Sequence, residues 1–207
     1  MMFITFEGPE GCGKSTHSQR LRNYLEGKGH KVVLTHEPGG TQIGKHIREL
    51  LLDPESVLDL KTEVYLFAAD RSEHVGKIIS PALCADKIVI SDRFTDSTLA
   101  YQIGGRGLPE DLVRYICMVS SGGLMPDLTL LLDVSPEVGI KRAAIKGPED
   151  RFEKEKIEFH RRVRAKYQEI AKGDPGRVKV INTDDRGIDD IQNEIREITE
   201  KALNEKR

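Results

Sequence analysis

The stretch Gly8-Pro9-Glu10-Gly11-Cys12-Gly13-Lys14-Ser15 matches G-x-x-x-x-G-K-[ST], the pattern of a phosphate-binding P-loop. An apolar strand at residues 3–6 precedes it and a helical pattern follows it, which is the context that the motif requires. Glycines let backbone N–H groups turn inward around phosphates, and the helix N-terminus adds partial positive charge. Lys14 should reach the β- and γ-phosphates, while Ser15 offers its hydroxyl to Mg²⁺. We therefore expect this stretch, together with the adjoining Thr16, to bind a nucleoside triphosphate.

Four more apolar runs follow the first one, and helical patterns separate them. The runs are nearly continuous in β-branched and aliphatic residues, which is typical of strands buried on both faces of a parallel sheet. The intervening segments are long enough for helical crossovers. The sequence therefore predicts one α/β domain over residues 1–207, a three-layer sandwich whose five-stranded parallel sheet carries helices on both faces, the P-loop NTPase fold. The predicted strands are 3–6, 32–34, 88–90, 128–132 and 178–181, and the clearest helices are 14–27, 60–80, 135–146, one opened by a capping box at 150–153, and one around 188–198.

Composition excludes several classes of protein. A chain of 207 residues with 38% hydrophobic residues can bury a full core, and its net charge of −2 offers no global positive field to nucleic acid. No apolar run approaches the roughly 18 residues that a membrane helix needs. The three cysteines, Cys12, Cys84 and Cys117, are too few and too far apart for a disulfide framework or a CxxC metal site. We expect a cytoplasmic protein with neither nucleic-acid nor membrane partners.

A second motif, Ser91-Asp92-Arg93-Phe94, ends the predicted strand 88–90. This is the carboxyl edge of the sheet, where α/β folds bind ligands. Asp92 is placed to hold magnesium directly or through water, and Arg93 offers a bidentate fork for a phosphate. A structural salt bridge at the end of the strand is the alternative interpretation. The base-reading signature N-K-x-D of a GTPase does not occur in the sequence.

The chain resembles the thymidylate kinase family, P-loop enzymes that phosphorylate dTMP. The resemblance extends over most of the sequence, and two of its stretches, Leu66–Arg71 and Asp92–Gln102, are highly specific to the family. It implies ATP as the phosphate donor, dTMP as the acceptor, Mg²⁺ as the cofactor and a homodimer. The segments that carry it are the P-loop with Glu10, Glu37-Pro38-Gly39-Gly40-Thr41, Leu66–Arg71, Asp92–Gln102, and a lid with Arg142 and Asp150-Arg151.

Phe67 and Arg71 lie four residues apart and therefore share one face of a predicted helix. An aromatic ring can stack on a pyrimidine, and a guanidinium can donate to a ring carbonyl. Taken alone, Phe67 is typical of a core residue. The family resemblance instead implies that it stacks on thymine while Arg71 faces the O4 atom.

The resemblance also implies how the rest of dTMP is held. Arg93 is expected to grip the phosphate and Thr98 to read the Watson–Crick edge of the base. Tyr101 is expected to crowd the sugar 2′ position, and Glu10 to lie near the 3′-hydroxyl. Glu37 would lie near the acceptor, unless it is simply a solvated loop acid. The full expected acceptor set is Glu37, Phe67, Arg71, Arg93, Ser97, Thr98, Tyr101 and Gln102.

Phosphoryl transfer requires neutralisation of the migrating group more than acid–base chemistry. Some thymidylate kinases carry an arginine inside the P-loop, but this chain has Gly11 there. The charge is therefore expected from the lid, at about residues 142–153, with Arg151 as the first choice. Lys146 stands where an arginine is expected and cannot make a bidentate contact. The predicted catalytic residues are Glu10, Lys14, Arg93 and Arg151, with Arg142 and Lys146 binding ATP beside the P-loop, and Ser15 and Asp92 holding the metal.

Two other functions remain open from the sequence. One is a kinase for dUMP or UMP, because a single methyl group is worth only about 1–3 kcal/mol of discrimination. The other is a nucleotide-dependent regulatory protein without turnover, against which the presence of Lys14, Arg93 and Arg151 argues. A panel of nucleoside monophosphates assayed with ATP distinguishes the three.

Overall fold

A computed structural model describes residues 1–145 and 150–206 of the chain. Its five strands form one fully parallel sheet in the order β2-β3-β1-β4-β5. The predicted α/β class and five-stranded parallel sheet are confirmed. The strands are β1 Met2–Glu7, β2 Val32–His36, β3 Ile88–Asp92, β4 Leu128–Asp133 and β5 Val178–Asn182.

Helices connect the strands and cover both faces of the sheet. Two of the connections also contain π-helical turns, Val75–Ile79 and Leu99–Gly105. The helices are α1 Lys14–Gly27, α2 Gln42–Leu52, α3 Leu60–His74, α4 Ser80–Cys84, α5 Thr95–Thr98, α6 Glu110–Ser121, α7 Pro136–Ala144, α8 Ile157–Gly173 and α9 Ile188–Glu205. Within the described residues, every helix falls short of the length and apolar character that crossing a bilayer demands.

The central strand β1 shows why its sequence is apolar without alternation. Ile4 and Phe6 pack on one face against helices α1 and α9, through residues such as Leu21 and Ile195. Phe3 points to the opposite face, where it belongs to a separate cluster that includes Ile79 and Phe94. Because both faces are covered, every residue of the strand is buried.

One predicted helix boundary is wrong. The helix expected to start with the capping box of Asp150 begins only at Ile157. The box does form, since Asp150 Oδ1 accepts the N–H groups of Phe152 and Glu153 at 2.8 and 3.0 Å. It closes a single turn, because the backbone at Lys156 (ψ 152°) is extended and stops the helix. The helix predicted over 60–80 does form, but α3 ends at His74 and a π-helical turn, Val75–Ile79, joins it to α4.

The carboxyl ends of three adjacent strands bring the predicted motifs together. In the sheet register Asp92 at the end of β3 lies beside Phe6 of β1 and His36 of β2. The P-loop therefore follows β1, Arg93 follows β3 and Glu37 follows β2, all at one edge of the sheet.

Candidate active site

The P-loop packs tightly against helix α7. Gly11 has φ 68°, and a Cβ atom placed on it would lie 2.0 Å from the carbonyl oxygen of Gly139. A side chain at position 11 is thus excluded both by backbone conformation and by contact. The absence of an arginine from this loop has a steric basis that the sequence pattern does not reveal.

Lys14 and Ser15 line a phosphate cavity of about 580 Å³ at the N-terminus of α1, bordered also by Gly13, Asp92 and Arg93. The buried Lys14 Nζ donates to the carbonyl oxygens of Gly8 and Pro9 at 3.0 and 2.9 Å. Ser15 Oγ donates to Asp92 Oδ2 at 2.7 Å. Burial raises the pKa of the Cys12 thiol, so it serves as a neutral filler of the loop, and Thr16 lies exposed in the first turn of α1.

A smaller inner pocket, about 100 Å³, opens beside the phosphate cavity. All eight residues expected to contact the acceptor line it, although they come from three separate segments of the chain. Six further lining residues are not among the predicted site residues, one of them Arg48 of α2, which borders both spaces. The residues that line the inner pocket are Glu10, Glu37, Pro38, Arg48, Leu52, Phe67, Arg71, Arg93, Phe94, Ser97, Thr98, Tyr101, Gln102, Asp150 and Phe152.

One end of the inner pocket is organised by the buried guanidinium of Arg71. Its Nε donates to Glu37 Oε2 at 3.0 Å, and its Nη2 donates to Thr98 Oγ1 at 2.8 Å. Burial opposes the charge of Arg71, but the carboxylate of Glu37 raises its pKa above the usual value. Glu37 also contacts His74 Nδ1 at 2.9 Å. Arg71 is thereby fixed before any ligand arrives.

The other end, next to the P-loop, contains Arg93 paired with Glu10. The guanidinium lies 5.0 Å from the centroid of the Tyr101 ring, and Tyr101 OH donates to Glu10 Oε1 at 2.7 Å. Burial disfavours the Glu10 carboxylate, yet Arg93 and Lys14 together lower its pKa to about 2. The Glu10 carboxylate thus neutralises Arg93, a role that the phosphate group of a bound ligand would otherwise take.

The structure does not bring the two described lid arginines, Arg142 and Arg151, to the P-loop. Arg142 Nη2 donates to the carbonyl oxygen of Thr183 at 3.1 Å. Arg151 Nε donates to the carbonyl oxygen of Leu51 at 2.9 Å, and its Nη1 lies 2.5 Å from Glu63 Oε2. Lys146 lies outside the described residues. The catalytic role of Arg151 therefore stays a prediction that requires a different position of its side chain.

The donor set beside the P-loop fits a hard divalent cation. Ser15 and Asp92 offer a hydroxyl and a carboxylate within hydrogen-bond distance of each other. Mg²⁺ prefers oxygen ligands and usually combines one or two protein groups with waters and phosphates. Residues 1–145 and 150–206 contain no cluster of three histidine, cysteine or acidic side chains that would hold a metal alone. The site therefore suits an ion that arrives with a phosphate ligand.

Residues 6–195 match the family model described as thymidylate kinase. The chain belongs to the thymidylate kinase family. The resemblance read from the motifs is confirmed, and with it the predicted class of ATP-dependent nucleoside monophosphate kinases.

Individual thymidylate kinases are similar along nearly the whole chain. The enzyme of Maridesulfovibrio salexigens is 47% identical over 203 residues, covering 94% of this chain and 93% of that protein. That of Desulfosudis oleivorans is 50% identical over 189 residues, covering 87% and 88%. The crystal structure of thymidylate kinase from Ehrlichia chaffeensis superposes with a TM-score of 0.79 at 37% identity, covering 96% of this chain and 98% of that one.

Sequence reasoning missed Glu7, which supports the candidate site from behind without lining either cavity. It is fully buried at the end of β1, where Oε1 accepts the Phe94 N–H at 2.8 Å. Its Oε2 accepts from Ser97 Oγ and from Tyr167 OH. The neighbouring Arg93 has φ 74°, a left-handed conformation that costs a non-glycine residue about 1–3 kcal/mol. Glu7 helps hold the turn that places Arg93.

Glu7 should make stability depend on pH. Burial, helped by nearby Asp96, raises its pKa from 4.5 to about 7. Between these values the folded state binds more protons than the unfolded state, so the free energy of unfolding falls as pH rises. We expect about 2.5 kcal/mol of this contribution to be lost between about pH 5 and pH 8. Chemical denaturation of the wild type and of Glu7→Gln at several pH values in this range measures the loss. If the free energy of unfolding changed with pH in the same way in both proteins, the assignment to Glu7 would be contradicted.

Proposed function

We propose that this chain transfers the γ-phosphate of ATP to dTMP, giving ADP and dTDP. One observation carries the proposal: the eight expected acceptor residues line an inner pocket that adjoins the phosphate cavity. The two spaces share Glu10, Glu37, Arg48 and Arg93 along their common border. Two nucleotides bound there would present their phosphates to each other, which is what phosphoryl transfer requires.

The existing contacts indicate how each phosphate is received. Lys14 leaves the carbonyl oxygens of Gly8 and Pro9 and donates to the β- and γ-phosphates of ATP. Arg93 exchanges Glu10 for the phosphate of dTMP. An oxygen of that phosphate attacks the γ-phosphorus, and the bond between the γ-phosphorus and the bridging β–γ oxygen breaks as ADP leaves. The protein contributes alignment and positive charge rather than a proton acceptor.

Ser15 and Asp92 would hold Mg²⁺ at the edge of the phosphate cavity. When bound, the ion would neutralise charge on the phosphates of ATP. Asp92 is also the residue that precedes Arg93, so the metal site and the acceptor-phosphate site share one turn of the chain.

The base should be recognised at the far end of the inner pocket. Phe67 offers an aromatic face there, and Arg71, held by Glu37, offers guanidinium donors for a ring carbonyl. Tyr101, which lines the same pocket, would crowd the sugar 2′ position and so disfavour a ribonucleotide. The test is a coupled assay with ATP and a panel of dTMP, dUMP, UMP and no acceptor. Preference for UMP would favour the ribonucleotide kinase, and ATP binding without transfer to any acceptor would favour a regulatory protein.

Arg151 remains the proposed source of transition-state charge from the lid. Its guanidinium would have to leave Glu63 and the Leu51 carbonyl to reach the phosphate cavity. If it does, Arg151→Ala should lower kcat by at least about a hundredfold, the scale of losing one stabilising donor. Rapid-quench measurement of the first turnover checks this, with Arg162→Ala, an exposed arginine of α8, as the control. An unchanged first turnover would remove Arg151 from the chemical step.

We further infer that residues 1–207 act as one kinase domain with a lid at about 142–153, and that two copies associate. Helices α3 and α6 pack together through Val64 and Val113, yet they also expose Tyr65, Tyr115 and Met118 by more than half of their surfaces. Exposed apolar side chains of this size favour a protein interface. Sedimentation equilibrium tests the dimer.

The three cysteines are free thiols, which favours a reducing compartment such as the cytoplasm.

A further inference from the structure

Glu63 of α3 is a fully buried carboxylate that takes no part in the phosphate contacts described above. Its Oε1 accepts from Gln102 Nε2 at 2.8 Å and from Arg106 Nε at 3.0 Å. Its Oε2 accepts from Arg106 Nη2 at 3.2 Å and lies 2.5 Å from Arg151 Nη1. The Glu63 carboxylate therefore links α3 to the second π-helical turn, through Gln102 and Arg106, and to Arg151 in the lid.

Each partner of Glu63 is connected to the inner pocket. Gln102 lines the pocket itself. Arg151 immediately precedes Phe152, whose ring lies 6.0 Å from that of Phe67 and 5.7 Å from that of Tyr101, measured between centroids. Arg106 and Arg151 also place their guanidinium groups 5.3 and 4.7 Å from the centroid of the Phe152 ring. Phe152 is thus held in the pocket wall by the cations that Glu63 binds.

Glu63 also fixes the orientation of the Gln102 amide. A carboxylate only accepts hydrogen bonds, so the NH₂ group of Gln102 must face Glu63. The Oε1 atom of Gln102 is then left as an acceptor, buried and without a partner among the described residues. A pyrimidine acceptor has one ring N–H donor in its Watson–Crick face, at N3. An unpartnered buried acceptor in the pocket wall suits such a donor.

Replacing this carboxylate would disturb all three contacts together. Arg151 would lose its carboxylate partner and Arg106 would keep only Glu155, and an uncompensated cation in a largely buried position is costly. Arg151 Nη2 is already buried without a partner in the described part of the chain. The arginines would have to move toward solvent, which would free Phe152 and allow the Gln102 amide to rotate.

We propose that Glu63 is a positioning residue for the acceptor: it holds Phe152 and the Gln102 amide in the pocket wall and thereby sets the affinity for the base of the acceptor nucleotide. The inference rests on the proposed function, because it assumes that the inner pocket receives the acceptor. It predicts a kinetic effect that is confined to that substrate.

The first test is Glu63→Gln, a substitution of equal size that removes the charge. We expect the KM for dTMP to rise about tenfold or more, with the KM for ATP changed less than about threefold. KM does not depend on the fraction of enzyme that is folded, so partial unfolding by itself would leave it unchanged. Glu155→Gln is the matched control, since Glu155 binds the same Arg106 from a partly exposed position.

A double-mutant cycle between Glu63→Gln and Phe152→Leu tests whether the effect passes through the pocket wall. Non-additive effects on the KM for dTMP are expected if Glu63 acts through Phe152. Additive effects, an unchanged or lowered KM for dTMP, or a fall confined to kcat would overturn the proposal. If Arg93→Ala and Arg71→Ala also left the KM for dTMP unchanged, the assignment of the pocket would fail; if only Glu63→Gln did so, the inference alone would fail.

Discussion

Replacing Lys14 by methionine should lower kcat by roughly 10³-fold or more while leaving dTMP binding nearly unchanged. The side chain is 8% exposed, and its ammonium group lies at the mouth of the P-loop, held by the Gly8 and Pro9 carbonyl oxygens. Methionine keeps a long, flexible side chain in the buried space, so the substitution removes mainly the charge. The ammonium group is needed most when charge shifts toward the β–γ bridging oxygen.

The measurement is kcat at saturating ATP and dTMP, together with calorimetric titration of dTMP into the variant. The unchanged dTMP affinity serves as the internal control for folding, because the inner pocket adjoins the phosphate cavity. A variant that keeps kcat but needs more ATP would show that Lys14 binds the ground state and the transition state equally.

Much of the fold could be predicted because its signals are local. The nearly continuous apolar runs of β1 and β4 reflect burial on both faces, and the P-loop lies between a strand and a helix as expected. The grouping of the expected acceptor residues was predictable for another reason, since Leu66–Arg71 and Asp92–Gln102 are specific family motifs. The structure brings both into one pocket with Glu37. Helix α2 was missed although Thr41 caps it by accepting the Gly44 N–H at 2.9 Å, and with it Arg48 was missed.

The remaining features depend on contacts between distant parts of the chain. Nothing near Gly11 in sequence reveals that Gly139 fills the space above it. Glu7 and Glu63 look like ordinary acidic residues in a strand and a helix, and their burial depends on partners as distant as Tyr167 and Arg151. A capping box such as that at Asp150 specifies the start of a turn but not how far the turn continues, and here the extended backbone at Lys156 separates it from α8.

Arg93→Ala should reduce kcat/KM for dTMP by roughly 10³-fold, corresponding to about 4 kcal/mol for truncating one partner of a buried charged contact. Its guanidinium is 17% exposed and is aligned by Ser97 at 3.1 Å and by Glu10. The variant loses the fork that would bind the acceptor phosphate and also leaves Glu10 unpaired beside an incoming anion. Arg93→Lys restores the charge but not the bidentate guanidinium, so kcat/KM for dTMP is expected to fall by roughly 10–100-fold.

Thymidine separates the phosphate contact from a general disturbance of the pocket. It contains the same base and sugar as dTMP but no phosphate, so its dissociation constant should change by less than about threefold in Arg93→Ala while that of dTMP rises steeply. Competition with a fluorescent nucleoside measures both constants on one preparation. If thymidine weakened as much as dTMP, Arg93 would be acting through Tyr101 and Ser97 on the shape of the inner pocket. If only dTMP weakened, the pairing of Arg93 with Glu10 would mark the place that the acceptor phosphate takes.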